Sequence, residues 1–444
     1  MSVGGGFIPQ GQTTGAGDGV DGAAVGSRPG SGGRRSALTI CGGGNAGHAL
    51  AVVASQNFDG DIDWLVGSEE KADLLRRGVS TGGLRSTGAL EARADRLRTI
   101  SAEPAEVIPN ADMVLIVVPA FVHAAVLGRI RPHVSDATVI GCFPTRGGFE
   151  FQAMQLTPRD EGVRRGIFGL QTLPWSTRVV TPGEVVNIGA VKAQVVLAAL
   201  PAGEGAGIAA RLTTILRTEI VATDDFLSLT IGNPGQFIHP GLMYGHFHSW
   251  QGEEFDEDGI PMFYAQATDE MGDVVAGLSS DAVAVARELE AQSGGALDLQ
   301  KVTPVLDWLR VTYAHVTEDL SSVGTCFRTG PIQARKAPVT EVASGNYVPD
   351  FGYRYLTEDV PFGLVATRAL AEIAGVETPT IDAVVGWAQS AMQKTYLVNG
   401  KLEGPDTGDL PIPQNHGISS VSELAEWYGV EASEAPRSRA SSKP

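Results

Sequence analysis

Gly42-Gly43-Gly44-Asn45-Ala46-Gly47 fits the spacing G-x-G-x-x-G, and glycines at those intervals suit one chemistry, the cradling of a pyrophosphate by main-chain N–H groups. Gly42 permits a tight turn, Gly44 lets phosphate approach the backbone, and Gly47 lets a helix pack close to a strand. The motif carries this meaning only between a strand and a helix; elsewhere it is a glycine-rich turn that binds nothing. Here a short apolar run, 38–41, precedes it and an alanine-rich helical stretch, 45–56, follows. Asn45 and Ala46 then stand at a helix N-terminus, whose free N–H groups and positive dipole end attract phosphate. The expected cofactor is NADPH or NADH. An acidic residue ending the second strand would hold the ribose 2′-OH of NADH, but that place holds Val66-Gly67-Ser68, with Glu69, Glu70 and Lys71 just after. Ser68 does not repel a 2′-phosphate, and Lys71 or Arg76 lies near enough in sequence to bind one, so the reading leans to NADPH. Pro119 and Phe121 begin the loop after the strand that ends near the nicotinamide in such folds, and are expected beside it.

Other reactive side chains read less sharply. His246 and His248 form an H-x-H pair that shares a face only on a strand, and no third ligand follows at a useful spacing. No metal is assigned; the pair is read as surface, or with Trp250 as lining for a substrate. Cys41, Cys142 and Cys326 are too few and too scattered for a disulfide framework or a metal pair. Trp175 and Trp308 are read as packing.

The elements that must position these groups follow from composition and pattern. The chain has 444 residues, 43% hydrophobic and 19% charged, enough for a substantial core in one to three domains. A net charge of −18 disfavours nucleic acid and anionic membranes as partners. Residues 1–36 hold 12 glycines and no apolar run, with Asp18 and Asp21 set against three arginines. They read as a disordered extension and not a signal peptide, poorer in arginine and richer in acid than a transit peptide, with organelle targeting left open, and the expected location is cytoplasmic. Strand signals at 38–41, 62–66, 111–118 and 138–142, separated by helical stretches, imply a parallel sheet covered on both faces. Beyond about 205 strand signals thin out, and helices are expected at 208–216, 281–292, 302–320, 363–374 and 381–392. The predicted organisation is an α/β Rossmann domain over 37–205, an all-α helical domain over 206–431, and a disordered tail over 432–444.

Set beside known families, Gly42 to Ala49 resembles the opening of the opine dehydrogenases, the octopine and nopaline enzymes among them. The resemblance continues in order through Val118-Pro119-Ala120-Phe121, Gly147-Gly148-Phe149-Glu150 and Thr172-Leu173-Pro174-Trp175. It resumes at Asn233-Pro234 with Ile238-His239-Pro240, at Arg354-Tyr355-Leu356-Thr357-Glu358-Asp359-Val360-Pro361, and at Gly375 to Asp382. It covers about residues 38–400, and the His-Pro and Arg-Tyr-x-x-Glu-Asp segments are its specific part. The resemblance implies a Rossmann domain and a helical domain with substrates in the cleft between them. It implies reductive condensation of an amino acid's amine with a 2-keto acid, often pyruvate, and a histidine–aspartate proton-transfer pair that falls on His239 and Asp359. It places a carboxylate-binding arginine at Arg354 and a substrate-side threonine at Thr172. The chain departs from the pattern at Arg146, where many members have glutamine, which offers a second carboxylate anchor. It also departs at Thr177, where some have cysteine, and over 244–250.

That chemistry suits the residue types. Dehydration of a carbinolamine needs a proton on the leaving hydroxyl, and an imine accepts hydride more readily when protonated, so a group titrating near neutrality is wanted. A carboxylate beside such a histidine fixes its tautomer and supports its charge. The bland alternatives are a histidine near a helix start before Pro240, Asp359 as a helix cap, Arg354 paired internally with Glu358 or Asp359, Arg146 in a similar internal ion pair, and Asn233 as a turn residue rather than a contact to the cofactor amide or substrate. The expected partners are the two small substrates, with a homodimer allowed for. Two other readings compete. Ketopantoate reductase and glycerol-3-phosphate dehydrogenase share the two-domain layout but use a catalytic lysine, and no lysine occurs in the helical half before Lys301. A non-catalytic redox sensor would have no need of His239, Arg354 and Asp359.

Overall fold

The computed structural model describes residues 35–157 and 166–429. The proposed tail, and the proposed extension apart from Arg35 and Ser36, lie outside the described residues. The chain opens with β1 (Ala37–Cys41), β2 (Asp61–Leu65), β3 (Arg85–Gly88), β4 (Leu97–Ser101), β5 (Met113–Ile116) and β6 (Val139–Cys142). It continues with β7 (Ile167–Leu170), β8 (Trp175–Thr181), β9 (Val185–Val191), β10 (Gln194–Leu200) and β11 (Glu219–Thr223). Eight of these make one sheet in the order β11-β10-β7-β6-β5-β1-β2-β4, parallel throughout except where β10 runs antiparallel to β7. β1 and β5 are buried at every position, as a sheet covered on both faces requires. The order reverses between β1 and β5, and ligands of such sheets bind at the carboxyl ends of the strands flanking that switch. α1 (Asn45–Asn57) leaves β1 there, and α2 (Glu69–Gly82) leaves β2.

β3, β9 and β8 form a second, three-stranded sheet that the sequence reading did not foresee. Its Trp175, Val186 and Ile188 share an apolar cluster with α1, and two hydrogen bonds add to this: Val179 N–H donates to Asn45 Oδ1 at 2.8 Å and Gly183 N–H to His48 Nε2 at 2.9 Å.

The switch to helices comes later than residue 205. The helix Gly205–Leu216 is a crossover that returns the chain to β11, which pairs in parallel with β10. Glu219–Thr223 is too short, and too mixed in polarity, to announce itself as a strand without that partner. Beyond it the fold is almost wholly helical around the long helix Asp269–Gln292. This helix begins twelve residues before the predicted 281, where Thr268 caps it by accepting from Met271 N–H and Asp269 and Glu270 fill its first turn. The helix Gly235–Phe247, which carries His239, escaped the periodicity search because Pro240 stands inside it. Pro240 lies one turn in, so the N–H it lacks costs a single bond near the helix start. Among the described residues no helix is long and apolar enough to cross a membrane.

Candidate active site

The glycine turn has the geometry its spacing implied. Gly42 takes φ +136°, and a Cβ there would lie 2.8 Å from Val117 O at the end of β5. A Cβ on Gly47 would lie 1.9 Å from Gly42 O, whereas one on Gly44 would meet nothing within 4 Å. The turn is therefore closed towards the sheet and open at Gly44. Two buried side chains hold its carbonyls inward: Trp64 Nε1–H donates to Gly42 O and the His48 Nδ1 donates to Gly44 O, both at 2.8 Å. His48 Nε2 accepts from Gly183, which fixes this tautomer, and burial pulls the imidazole down to about 4. With no side chain capping Gly44, the first-turn N–H groups of α1 are left to an anion. These residues fit a dinucleotide.

The other cofactor-side residues divide. Ala46 and Pro119 line the groove leaving the glycine turn, and so does Asn45, although its side-chain oxygen is committed to β8. Ser68 caps α2, accepting from Lys71 N–H at 3.3 Å, and the Lys71 side chain lies over Gly43. Arg76 is not free for a phosphate. It pairs with Glu69 and Asp73 and donates to Ile100 O. Phe121 is 54% exposed and lies outside the groove lining.

That groove runs from Gly44 past Val118 and Pro119 to His239, Arg354 and Glu358. There the two halves of the fold meet in a polar cluster. His239 Nδ1 lies 2.8 Å from Asp359 Oδ2, across 120 positions of sequence. The Tyr355 ring stacks on the imidazole at 3.9 Å between centroids. Asp359 has no solvent exposure, and its other oxygen is 2.9 Å from Arg146 Nη1. Burial alone would raise the Asp359 carboxyl, but Arg146 and His239 outweigh it and hold it below the usual carboxylate range. Burial pulls the His239 imidazole below its ordinary value, with Asp359 opposing. Asp359 also starts a π-helical turn, Val360–Leu364, in which Leu364 N–H donates to Asp359 O; such turns recur at functional sites. Glu358, which the sequence reading named only as a partner for Arg354, bridges the halves by accepting from Ala120 N–H at 3.0 Å.

Arg354 is 3.6 Å from Glu358 through Nε, with its side chain 44% exposed to the cleft, so its fork is open to a ligand. Arg146 is different. Its side chain is only 5% exposed, held by Asp359, Glu358 and Asn233, and its charge is already balanced. Of the two sequence readings for Arg146, a second anchor and an internal ion pair, the geometry has the ion pair, at the border of the inner cavity. Asn233 likewise has no capacity left for cofactor or substrate. Its amide donates to Thr145 O and Gln171 O and accepts from Arg146 and Gly235 N–H.

Behind His239 the cleft deepens into a cavity of ≈ 210 Å³ that includes Thr172, Arg354, Trp308 and Tyr313. Trp308 thus lines a cavity rather than serving only as packing. Trp175 is 2% exposed with its indole N–H on Leu216 O. The cavity also holds Lys192, which the sequence reading passed over because it sought lysines only in the helical half. His246 and His248 lie outside this cavity: His246 Nε2 contacts Phe263 O, and His248 stacks on Tyr244. Trp250 packs on Phe351. Among the described residues no group of three or more His, Cys, Asp or Glu could hold a metal ion.

Residues 222–392 match the family described as NAD/NADP octopine/nopaline dehydrogenase, alpha-helical domain. Over 399 residues the chain is 31% identical to tauropine dehydrogenase of Arabella iricolor, covering 87% of this chain and 99% of that protein. The solved structure of octopine dehydrogenase with NADH and L-arginine matches with a TM-score of 0.78 at 26% identity, over 90% of this chain and 100% of that one. Octopine dehydrogenase with NADH and pyruvate matches at 0.75 and 27%, over the same shares.

Proposed function

The chain belongs to the opine dehydrogenase family and is an NAD(P)-dependent oxidoreductase of that kind; from that premise we propose that it joins an amino acid's amine to a 2-keto acid, pyruvate in the first instance, and reduces the imine they form. The observation that carries this reading is the 2.8 Å contact of His239 with buried Asp359, set where the groove from the glycine turn meets the inner cavity. The likeness to octopine dehydrogenase solved with NADH and pyruvate supports the choice of keto acid.

Asp359 accepts from Nδ1–H, which leaves Nε2 of His239 for the substrates. Nε2 takes a proton from the incoming ammonium, so that the nitrogen attacks the keto carbon. The proton returns to the carbinolamine oxygen, the C–O bond breaks and water leaves a protonated imine. NAD(P)H, when bound, supplies the hydride. One further proton goes to the secondary amine, so amino acid, keto acid, reduced cofactor and a proton give opine, oxidised cofactor and water. Arg354 holds the keto acid's carboxylate through its fork, with Thr172 beside it. Arg146 keeps Asp359 ionised, and Asn233 keeps Arg146 in place. Gly42, Gly44, Ala46 and Gly47 would hold the pyrophosphate of the bound cofactor, and Pro119 would border its nicotinamide end. The preference is for NADPH, because Ser68 places no carboxylate at the end of β2 and Lys71 offers a cation over the turn.

Oxidation of NADPH and of NADH is followed with pyruvate alone, then with pyruvate plus a panel of amino acids, and the product is weighed. The expected product mass is amine plus keto acid, less water, plus two hydrogens. Turnover with pyruvate alone means a hydroxy-acid reductase, and no turnover at all means a binding protein; either refutes the reading.

A further inference from the structure

The inner cavity contains a cation that the proton-transfer cluster does not use. Lys192 lies in the turn between β9 and β10, its N–H donating to Pro174 O at 2.9 Å. It is 7% exposed. Its Nζ donates to Leu173 O at 2.6 Å and stands 5.9 Å from the centre of the Tyr313 ring, and Lys192, Leu173 and Tyr313 all line the cavity. Among the described residues no carboxylate lies within ion-pair distance of it. A buried ammonium with one hydrogen bond and no counter-ion is costly unless a ligand completes it, and burial here pulls Lys192 down to about 8.

Charge accounting assigns it a task. Arg146 and Arg354 face Glu358 and Asp359, so with neutral His239 that cluster has no net charge. Two substrates each bearing an acid group bring two negative charges. Arg354 is the exposed fork for one, and within the inner cavity Lys192 is the surplus cation for the other. No Asp or Glu lines the cavity, and its charged side chains besides Lys192 are Arg146 and Arg354, which already face Glu358 and Asp359. We propose that Lys192 binds the acid group, carboxylate or sulfonate, of the amine substrate, and that the rest of that substrate is uncharged. This rests on the opine-forming reading above and names the substrate class for it.

The test uses the full enzyme with pyruvate, NADPH or NADH, and four amines: L-alanine and taurine (acid group, uncharged remainder), L-arginine (acid group with a cation) and ethylamine (no acid group). In the wild type, kcat/KM for L-alanine or taurine exceeds that for L-arginine and for ethylamine by about tenfold or more, the scale of one charge-assisted contact. Lys192→Met raises the KM of the acid-bearing amine by about tenfold, leaves the pyruvate KM within about twofold, and brings L-alanine close to ethylamine. Lys192→Arg keeps the discrimination. A merely structural lysine would not produce that split between the two substrates. If Lys192→Met lacks a cooperative melting transition, Lys192→Gln, which can still donate to Leu173 O, is expected to give the same KM split. An unchanged amine KM in an active variant, or equal use of L-arginine by the wild type, overturns this inference and leaves the opine reading standing. A wild type that oxidises cofactor with none of the amines, or with pyruvate alone, overturns both.

Discussion

Replacing Asp359 by asparagine keeps the shape and removes the charge on which proton transfer depends. The carboxylate accepts from His239 on one oxygen and faces Arg146 on the other; both neighbours are donors, and an amide has one oxygen. Either the amide N–H₂ confronts an Arg146 N–H, or it turns to His239 and forces the proton onto Nε2, where the neutral ring can no longer accept one. An imidazolium and a carboxylate with charge centres about 4 Å apart attract by about 4 kcal/mol at an effective dielectric near 20. Arg146 cancels part of that, so about 3 kcal/mol of support for the charged ring is lost. At about 1.4 kcal/mol per tenfold, turnover falls by about two orders of magnitude. Folding is weakened as well, because Arg146 keeps Glu358, 3.5 Å from its Nε, as its one ionic partner beside the Asn233 amide, and breaking one side of a buried pair costs about 3–5 kcal/mol. The assay is kcat with both substrates saturating, alongside cofactor affinity by fluorescence titration and a thermal melt. Cofactor affinity is expected to hold within about twofold, since the glycine turn is untouched. A folded Asp359→Asn enzyme with kcat within about threefold of wild type refutes the relay, because the loss worked from the geometry is far larger.

Three further outcomes follow from the same geometry. Arg354→Lys gives up the planar fork but keeps the charge, so the keto-acid KM rises by about tenfold while kcat changes little; steady-state kinetics with the keto acid varied reads this, and an unchanged KM removes Arg354 from the binding site. Gly47→Ala sets a Cβ 1.9 Å from Gly42 O, so the turn must open and NADPH and NADH affinity should fall by about tenfold or more; a titration giving wild-type affinity would show that the turn is not the phosphate cradle. His48 and His123 are both pulled down to about 4 by burial, below the unfolded value near 6.5. The unfolded chain therefore binds more protons between pH 6.5 and 4, and stability from these two groups is full above that window and lost as pH falls through it. Urea unfolding at pH 7 and pH 4.5 should show His48→Gln losing less stability on acidification than wild type, and an equal loss would contradict the assignment of a neutral imidazole.

The parts of this protein legible in its sequence are those whose physics is local. The glycine turn is one, because a positive φ at Gly42 and close approach at Gly47 are demands made within six consecutive residues. The strands β1, β5 and β6 are others, since a strand buried on both faces reads as a nearly continuous apolar run. The partnership of His239 with Asp359 was reached by resemblance to a family, not by spacing, for nothing in either segment encodes a contact across 120 positions. What only the tertiary structure decided is charge and burial, which are sums over neighbours from distant segments. Arg146 looked like a free carboxylate anchor until Asp359, Glu358 and Asn233 converged on it. Lys192 carries no local sign of a role, and it lines the cavity only because the Val305–Tyr313 helix brings Tyr313 beneath it. The strand Glu219–Thr223 joined the sheet only because β10 was there to pair with it.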